Sequence, residues 1–304
     1  MGKGLENKVV LVTGAGNGIG RAIAMYAASE GAKVVVNDYG VSLNGTESVE
    51  GSPAQVVVDE IKALGGEAVA NLGSVSDWDQ AQAMVKQAVD TFGRIDGVVN
   101  NAGVLADRMF HKMSLEEWQR VINVHLNGSF YVSRAAADYF KEQQSGAYVQ
   151  MVSPTAVVGN MGQANYGAAK TGLIGLSKAI ALDMKAFNVR SNCVSPSAYT
   201  RMLAGIPLKT PEQVARMEEA KKSTPEKIAP LISFLLSDAA QGVTGQIFGA
   251  RRNEIMLFNQ TRPIRSLAKT DGWDFESLEK TALPAMSKFF TPLDGPEYFA
   301  WKEV

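Results

Sequence analysis

A short β-branched run at residues 8–13 (KVVLVT) is followed at once by the turn TGAGNGIG at 13–20, then by RAIAMYAASEG at 21–31. Strand, glycine turn and helix in that order constrain the fold more than anything else in the chain. A continuous apolar strand has to be buried on both faces. A layered α/β sheet with helices on either side provides that burial. The glycines suggest what the turn is for. Gly14 permits a tight turn, Gly18 lets the backbone approach a pyrophosphate, and Gly20 lets helix and strand pack closely. The helix N-terminus adds free N–H groups and a partial positive charge. The spacing is GxxxGxG rather than GxGxxG, so the turn alone also fits a tight βα connection that holds no ligand. The next strand, 33–37 (KVVVN), runs into Asp38. An acidic residue about 20 positions past the glycines hydrogen-bonds the adenosine ribose and repels a 2′-phosphate. The pattern therefore favours NAD(H) over NADP(H). Arg21 reads as a solvated helix residue rather than a phosphate clamp.

The alternation continues. A helix is expected at 54–64, broken by Gly65 and Gly66, then a strand at 68–72 with Ser74 and Val75 just past it. A helix at 77–92 takes Asp77 as its N-cap. A strand at 97–100 leads into NNAG at 100–103, and a strand-like run at 148–152 is closed by Ser153. Such a chain predicts a doubly wound, Rossmann-like parallel sheet with helices on both faces. Ligands bind these sheets beyond the carboxyl ends of the strands. Gly14 to Gly20, Asp38, Ser74, Asn101 and Ser153 all fall there. Residues 39–53 form an unusually long glycine- and serine-rich connection. It reads either as an exposed insertion or as a loop beside the adenosine.

The chemistry centres on YGAAK, 166–170. Tyr166 and Lys170 lie four apart, one turn from each other on one helix face. A phenol has an ordinary pKa near ~10 and is a weak base at neutral pH. A neighbouring ammonium favours the phenolate. Ser153, upstream, offers a hydroxyl to a substrate oxygen. Taken by themselves, Tyr and Lys at this spacing equally describe a surface pair worth about 0.3 kcal/mol.

Composition narrows the class. A net charge of −1 and a pI near 6.2 give no electrostatic footprint for nucleic acid. Cys193 is the single cysteine, which excludes an internal disulfide, and two scattered histidines argue against a zinc site. No metal is expected. No apolar run reaches the roughly 18 residues of a membrane span, and the N-terminal stretch lacks a signal-peptide core. The expectation is a cytoplasmic protein without a membrane span.

From about residue 8 to 245 the chain resembles the short-chain dehydrogenase/reductases. TGAGNGIG, NNAG, Ser153, YGAAK and SPSAYT (195–200) stand in that family's order and spacing. The resemblance implies an NAD-dependent oxidoreductase. It makes Tyr166 the general acid/base, Lys170 its activator and a ligand of the nicotinamide ribose, and Ser153 the holder of the substrate oxygen. It assigns Gly14, Asn17, Gly18, Ile19 and Gly20 to the pyrophosphate side, Asp38 to the adenosine ribose, and Ser74 and Val75 to the adenine. Asn101, Ala102 and Gly103 line the middle of the cofactor, and Thr200 sits near the carboxamide and phosphates.

Three positions depart from the wider family. In INVHLNGSF, His125 stands where an asparagine usually shapes a proton relay, with Asn123 two residues earlier. His125 takes over that relay, contributes only its backbone carbonyl, or is a satisfied interior histidine. Pro196-Ser197 replaces a proline-glycine, and GARRNEI replaces a closing glycine pair. Within the family, VVND with its glycine-rich insertion, GGEAVAN, FGRIDGVVNNAGVLADRMF, VHLNGSF and GQANYGAAK are most similar to the (3R)-hydroxyacyl-CoA dehydrogenase part of type 2 peroxisomal multifunctional enzymes and their bacterial relatives. That similarity implies a secondary alcohol oxidised to a ketone on a CoA thioester with a fatty or steroid side chain. A steroid or other bulky alcohol dehydrogenase, a 3-oxoacyl reductase, a non-catalytic NADH sensor and a structural subunit stand as alternatives.

Further helices are expected at 115–140, with Ser114 and Glu117 as a capping box, at 165–187, and at 225–237 with Thr224 as N-cap and Pro225 at N1. The resemblance makes the first two a subunit interface, hence a homodimer or homotetramer; a buried pair within one chain is the alternative. A lid helix is expected within 199–223, the stretch that also holds Pro207. Arg108, Lys112, Arg201, Lys221 and Lys222 are candidates for CoA phosphates or simply solvated charges. Residues 1–249 form the dehydrogenase domain, and 250–304 a C-terminal extension. It carries a helical stretch at 276–289 and two tryptophans, Trp273 and Trp301, that suggest packing on the domain or on a neighbouring subunit.

Overall fold

In the computed structural model, residues 4–42, 44–47, 51–200 and 210–295 are described; Arg201, Pro207 and Trp301 lie outside them. Eight strands appear among the described residues: β1 Val9–Thr13, β2 Lys33–Asn37, β3 Glu67–Asn71, β4 Gly97–Asn100, β5 Gly146–Met151, β6 Val189–Ser197, β7 Ile247–Arg251 and β8 Glu254–Leu257. They form one sheet in the order β3-β2-β1-β4-β5-β6-β7-β8. The first seven pair in parallel, and β8 returns antiparallel to β7.

Strand periodicity divides β1 between two cores. Val10 and Val12 face one side with helices α1 (Gly18–Ser29) and α2 (Pro53–Ala63). Val9 and Leu11 face the other, with α3 (Trp78–Phe92) and the helix at Gly128–Gln143. Every residue of β1 is buried, as a strand covered on both faces requires. Register then builds the functional edge. Thr13 pairs with Asn37, and Val12 with Val99, so β1, β2 and β4 end nearly level. The order reverses between β1 and β4, which is the switch point where such sheets bind ligands.

The expected long helix at 115–140 is not one regular helix. It runs as α4 (Leu115–Ile122), a π-turn at Asn123–Asn127, and α5 (Gly128–Gln143). The Ser114–Glu117 capping box is present. One wider turn re-aims the chain, and His125 is the residue it buries. After the short α6 (Thr155–Val158) comes α7 (Ala164–Asp183), which carries YGAAK and ends in a 3-10 turn, Lys185–Phe187. The helix expected at 225–237 is likewise split. Pro225–Lys227 is a 3-10 turn, Ala229–Leu236 is the helix, and Thr224 makes no side-chain cap bond. Pro230 inside the stretch lacks the N–H that a continuous helix needs. Pro211–Lys221 is helical, in the place expected for a lid.

The sheet continues past residue 249. β7 ends at Arg251, and a two-residue turn returns the chain as β8. Met256 and Phe258 close over Gly249, where an added Cβ would stand 2.8 Å from Met256 Cε. The later helix spans three stretches, Phe275–Ser277, a π-turn at Leu278–Ala282, and Leu283–Ser287. Asp274 and Ser277 cap it reciprocally. Trp273 stays more than a third exposed.

Candidate active site

The carboxyl edge of the sheet opens into a cleft of about 230 Å³, lined by the glycine turn, Asp38, Ser74, Val75, Tyr166, Lys170 and Thr200 among others. Its floor is fixed by backbone geometry. Gly14 and Gly18 adopt φ of +61° and +53°, left-handed values that side chains resist. A Cβ on Gly20 would sit 2.2 Å from the Gly14 carbonyl oxygen, so only glycine lets α1 start this close to β1. Asn17 occupies the N-cap of α1 without a side-chain cap bond, and the helix N-terminus faces the cleft uncapped by it. Asp38 accepts from Gly16 N at 2.9 Å through Oδ2, and from Gly40 N at 2.9 Å through Oδ1. Each carboxylate oxygen keeps a second acceptor site.

The loop at 39–53 is not simply an exposed insertion. Tyr39, Val41, Ser42 and Pro53 line the cleft, and a Cβ on Gly45 would meet Val104 Cγ1 at 3.0 Å. Arg21 pairs with Glu60 at 2.5 Å and so acts as a link between α1 and α2.

Asn101 lines the cleft and is also tied to the glycine turn. Its Nδ2 donates to Thr13 O and Gly14 O, both at 3.0 Å. Thr13 Oγ1 accepts from Asn101 N and Ala102 N in return. The side chain of Asn101 therefore splints β4 to the glycine turn, and Asn101, Ala102 and Gly103 all line the cleft.

At the reacting end, β5 delivers Ser153 and α7 delivers Tyr166 and Lys170. The Tyr166 side chain is half-buried and lines the cleft. Burial raises its pKa above the ordinary value, a hydrogen bond with Ser153 pulls it down, and the charge of Asp107 pushes it up. Lys170 donates to Met151 O at 2.5 Å, and its ammonium stands 5.6 Å from the centre of the Tyr166 ring. Burial pushes Lys170 down to about 7. The expectation of an ammonium pressed against the phenol is met only loosely: the strand carbonyl holds Lys170, and Ser153 is the group that favours the phenolate.

His125 is buried edge-on to Tyr166, with ring centres 5.1 Å apart. Its Nε2 meets the Val104 backbone, 2.8 Å from O and 3.1 Å from N. Nδ1 has no partner among the described residues. Burial first, then the charge of Lys170, pushes the ring down to about 3, so it is neutral at physiological pH. A Cβ on Gly103 would stand 2.3 Å from His125 Cε1, which explains glycine there. The His125 carbonyl accepts from Ser129 Oγ at 2.6 Å. Asn123 points away from this centre and bonds Gln119 and Asn127.

The sequence reading missed three contributors. Asn165, fully buried, donates to Ala106 O and Glu117 O and accepts from Tyr166 N at 2.7 Å. Gly16 has no room for a side chain, since a Cβ would meet Asp38 Oδ2 at 2.7 Å. Thr13 carries the splint described above. The adjacency of Asn165 to Tyr166 was the one signal for the first. Of the CoA-phosphate candidates, Arg108 pairs with Glu117 at 2.8 Å, Lys221 with Glu218 and Lys222 with Glu219. Among the described residues no cluster of His, Cys, Asp or Glu suited to a metal occurs, and no helix is long and apolar enough to cross a membrane.

The residues present suit a dinucleotide: left-handed glycines, a helix N-terminus and a strand-end carboxylate face one cleft. Comparison with known proteins agrees. A family profile described as short chain dehydrogenase matches residues 8–208. A Mycobacterium tuberculosis protein described as a short-chain type dehydrogenase/reductase is 44% identical over 235 residues, 77% of this chain and 79% of that protein. Peroxisomal multifunctional enzyme type 2 of Mus musculus is 40% identical over 279 residues, 88% of this chain but only 36% of the mouse protein. A crystal structure of a short chain dehydrogenase from Mycobacterium avium superposes with a TM-score of 0.82 at 38% identity, covering 96% of this chain and 98% of that one.

Proposed function

The chain belongs to the short-chain dehydrogenase/reductase family, and from that premise we propose that it oxidises a secondary alcohol to a ketone with NAD as acceptor. The substrate class is the one implied by its resemblance to the dehydrogenase part of the multifunctional enzymes, a 3-hydroxyacyl-CoA thioester. The observation that carries the reading is the Ser153–Tyr166–Lys170 group: Tyr166 and Lys170 line the glycine cleft, Ser153 and Lys170 are buried, and Ser153 hydrogen-bonds the Tyr166 phenol.

A bound nicotinamide supplies the acceptor for the hydride leaving the alcohol carbon. Ser153 holds the substrate oxygen, and Tyr166 takes the hydroxyl proton as general base. Lys170, fixed by Met151 O, brings positive charge to the ribose side of the site. His125 stays neutral and uncharged at working pH, and its partnerless Nδ1 is an acceptor or donor for a proton path behind Tyr166. Gly14, Asn17, Gly18, Ile19 and Gly20 receive the pyrophosphate, Asp38 the adenosine ribose, Ser74 and Val75 the adenine, with Asn101, Ala102, Gly103 and Thr200 along the middle. Burial of Cys193 as a lone thiol suits a reducing, cytoplasmic setting. The paired helices α4–α5 and α7 supply faces for a homodimer or homotetramer.

Tyr166→Phe tests the assignment. Turnover falls at least about 10³-fold, while the dissociation constant for NADH, read by fluorescence, stays within about twofold. Near-parental turnover would sink the reading. Asp38→Ser tests the cofactor: NADPH affinity rises relative to NADH. If the parent chain already binds both equally, the carboxylate does not discriminate.

One observation favours the opposite direction of the same chemistry. The raised pKa of Tyr166 keeps the phenol protonated at neutral pH, ready to donate to a ketone oxygen. Reduction of a 3-oxoacyl group is then flat through neutral pH. Oxidation climbs as pH rises toward the phenol's pKa. Rates measured in both directions from pH 6 to 10 decide between them.

A further inference from the structure

The turn between β7 and β8 packs against the end of the Pro211–Lys221 helix and Ser223. Arg252, in that turn, has φ +48°. Its side chain is only 13% exposed and donates through Nη2 to Glu219 O at 2.7 Å and Glu219 Oε2 at 2.9 Å. Glu219 belongs to the helix Pro211–Lys221. The Arg252 backbone N–H donates to Ser223 Oγ at 3.2 Å, and Ser223 Oγ donates in turn to Ser197 O. Ser223 O accepts from Tyr199 N at 2.7 Å. The next residue, Thr200, lines the cleft beside Gly18, where a Cβ would meet Thr200 Cγ2 at 3.7 Å. An unbroken chain of contacts thus leads from the C-terminal turn to the glycine loop.

We propose that Arg252 is a positioning residue: the β7–β8 turn clamps the end of the 211–221 helix and, through Ser223, holds the 197–200 segment against the dinucleotide cleft. Arg252 touches neither substrate nor cofactor. A guanidinium suits the task, because the two N–H groups of one terminal nitrogen, Nη2, reach a helix-end carbonyl and a carboxylate together. Glu219 is shared with Lys222, which stands 2.5 Å from its other oxygen. Those two cations hold the Glu219 carboxyl below its ordinary pKa. The clamp therefore persists at neutral and mildly acidic pH.

The proposal rests on the dinucleotide reading given above, and the test separates the two. Arg252→Gly removes the guanidinium while suiting the left-handed backbone, so no backbone strain is added. In the full chain we expect the NADH dissociation constant to rise about three- to tenfold. The melting temperature of the unliganded protein should fall by no more than about 6 °C, leaving the chain folded at the assay temperature. Hydrogen-exchange protection should fall at the amides of Tyr199 and Arg252. Ser223→Ala, which cuts the same chain one link further on, should weaken NADH binding in the same direction, and Arg252→Lys should recover part of the loss. An NADH constant unchanged within twofold in both Arg252→Gly and Ser223→Ala overturns the clamp alone. So does a loss of affinity that merely follows a melting temperature fallen further than about 6 °C. A parent chain that binds neither NADH nor NADPH overturns the functional reading and the clamp together.

Discussion

The central strands β1, β4 and β5 and the stretch after Ala250 are built on opposite terms. In β1 all five residues are buried, and in β5 all six. Between 251 and 295, Ala282 is the one described residue that is buried. Phe275 is 83% exposed and Leu293 99% exposed, although their composition resembles that of a core. The helix at 275–287 has its main contacts within itself, between its own three stretches. In the sheet, apolar residues are interchangeable parts of a packed layer, and the irreplaceable positions are the small and polar ones at the strand ends. In the extension, what joins the body is the first ten residues: Met256 and Phe258 over Gly249, Arg252 at Glu219, and Gln260 donating to Gly245 O at 2.7 Å. An apolar residue thus tells where the core is only when the chain around it is folded into layers.

Three measurements press on that contrast. The largest effect is expected at Gly20. Gly20→Ala drives a methyl group into the Gly14 carbonyl and costs about 3 kcal/mol or more. Dinucleotide binding is lost in titration as well. Retained binding would mean the turn has slack that its geometry does not display. The next effect comes from His125, held down to about 3 by burial. Its folded pKa lies below the ordinary 6.5, so the unfolded chain takes up the proton first as pH falls. Stability is level above pH 6.5 and declines from there toward pH 3, by on the order of a few kcal/mol from this group. His125→Gln does not titrate. Denaturant unfolding across that range should show a shallower decline in the variant, and equal slopes would remove His125 from the account. The smallest effect is expected at Leu293. Leu293→Ser should shift stability by no more than about 0.5 kcal/mol. A loss above about 1 kcal/mol would show that the extension packs against something in solution and would break the contrast.

The first half was largely readable because its signals are local. Val9 to Thr13 alternates between two cores while staying apolar throughout, and the glycines at 14, 18 and 20 mark a turn that few other residues permit. Ser114 and Glu117 announced their helix start three residues apart. The hydrogen bonds of Asn101 were not readable. Whether an asparagine past a strand faces a ligand or ties two strands together depends on how close Thr13 and Gly14 come, and that is set by sheet register. The π-turn at 123–127 was hidden for a related reason. Its residues have ordinary helical composition, and the turn buries His125 against Val104 and Tyr166, contacts that only the folded chain supplies. β8 went unread because EIML is four residues long, and an edge strand earns its hydrogen bonds only from a neighbour already in place.

What the amino-acid order determined by itself was the βα alternation, the glycine cradle, and the pairing of Tyr166 with Lys170 one helical turn apart. Each follows from backbone sterics and repeat distance within a few residues. The tertiary structure decided which group holds each charge. It gave Lys170 to the Met151 carbonyl, Ser153 to the phenol, and Arg252 to a helix distant from it in sequence. Local geometry fixes where a side chain starts. Its hydrogen-bond partner and its proton affinity depend on what other strands bring within about 3 Å and on how much water they exclude.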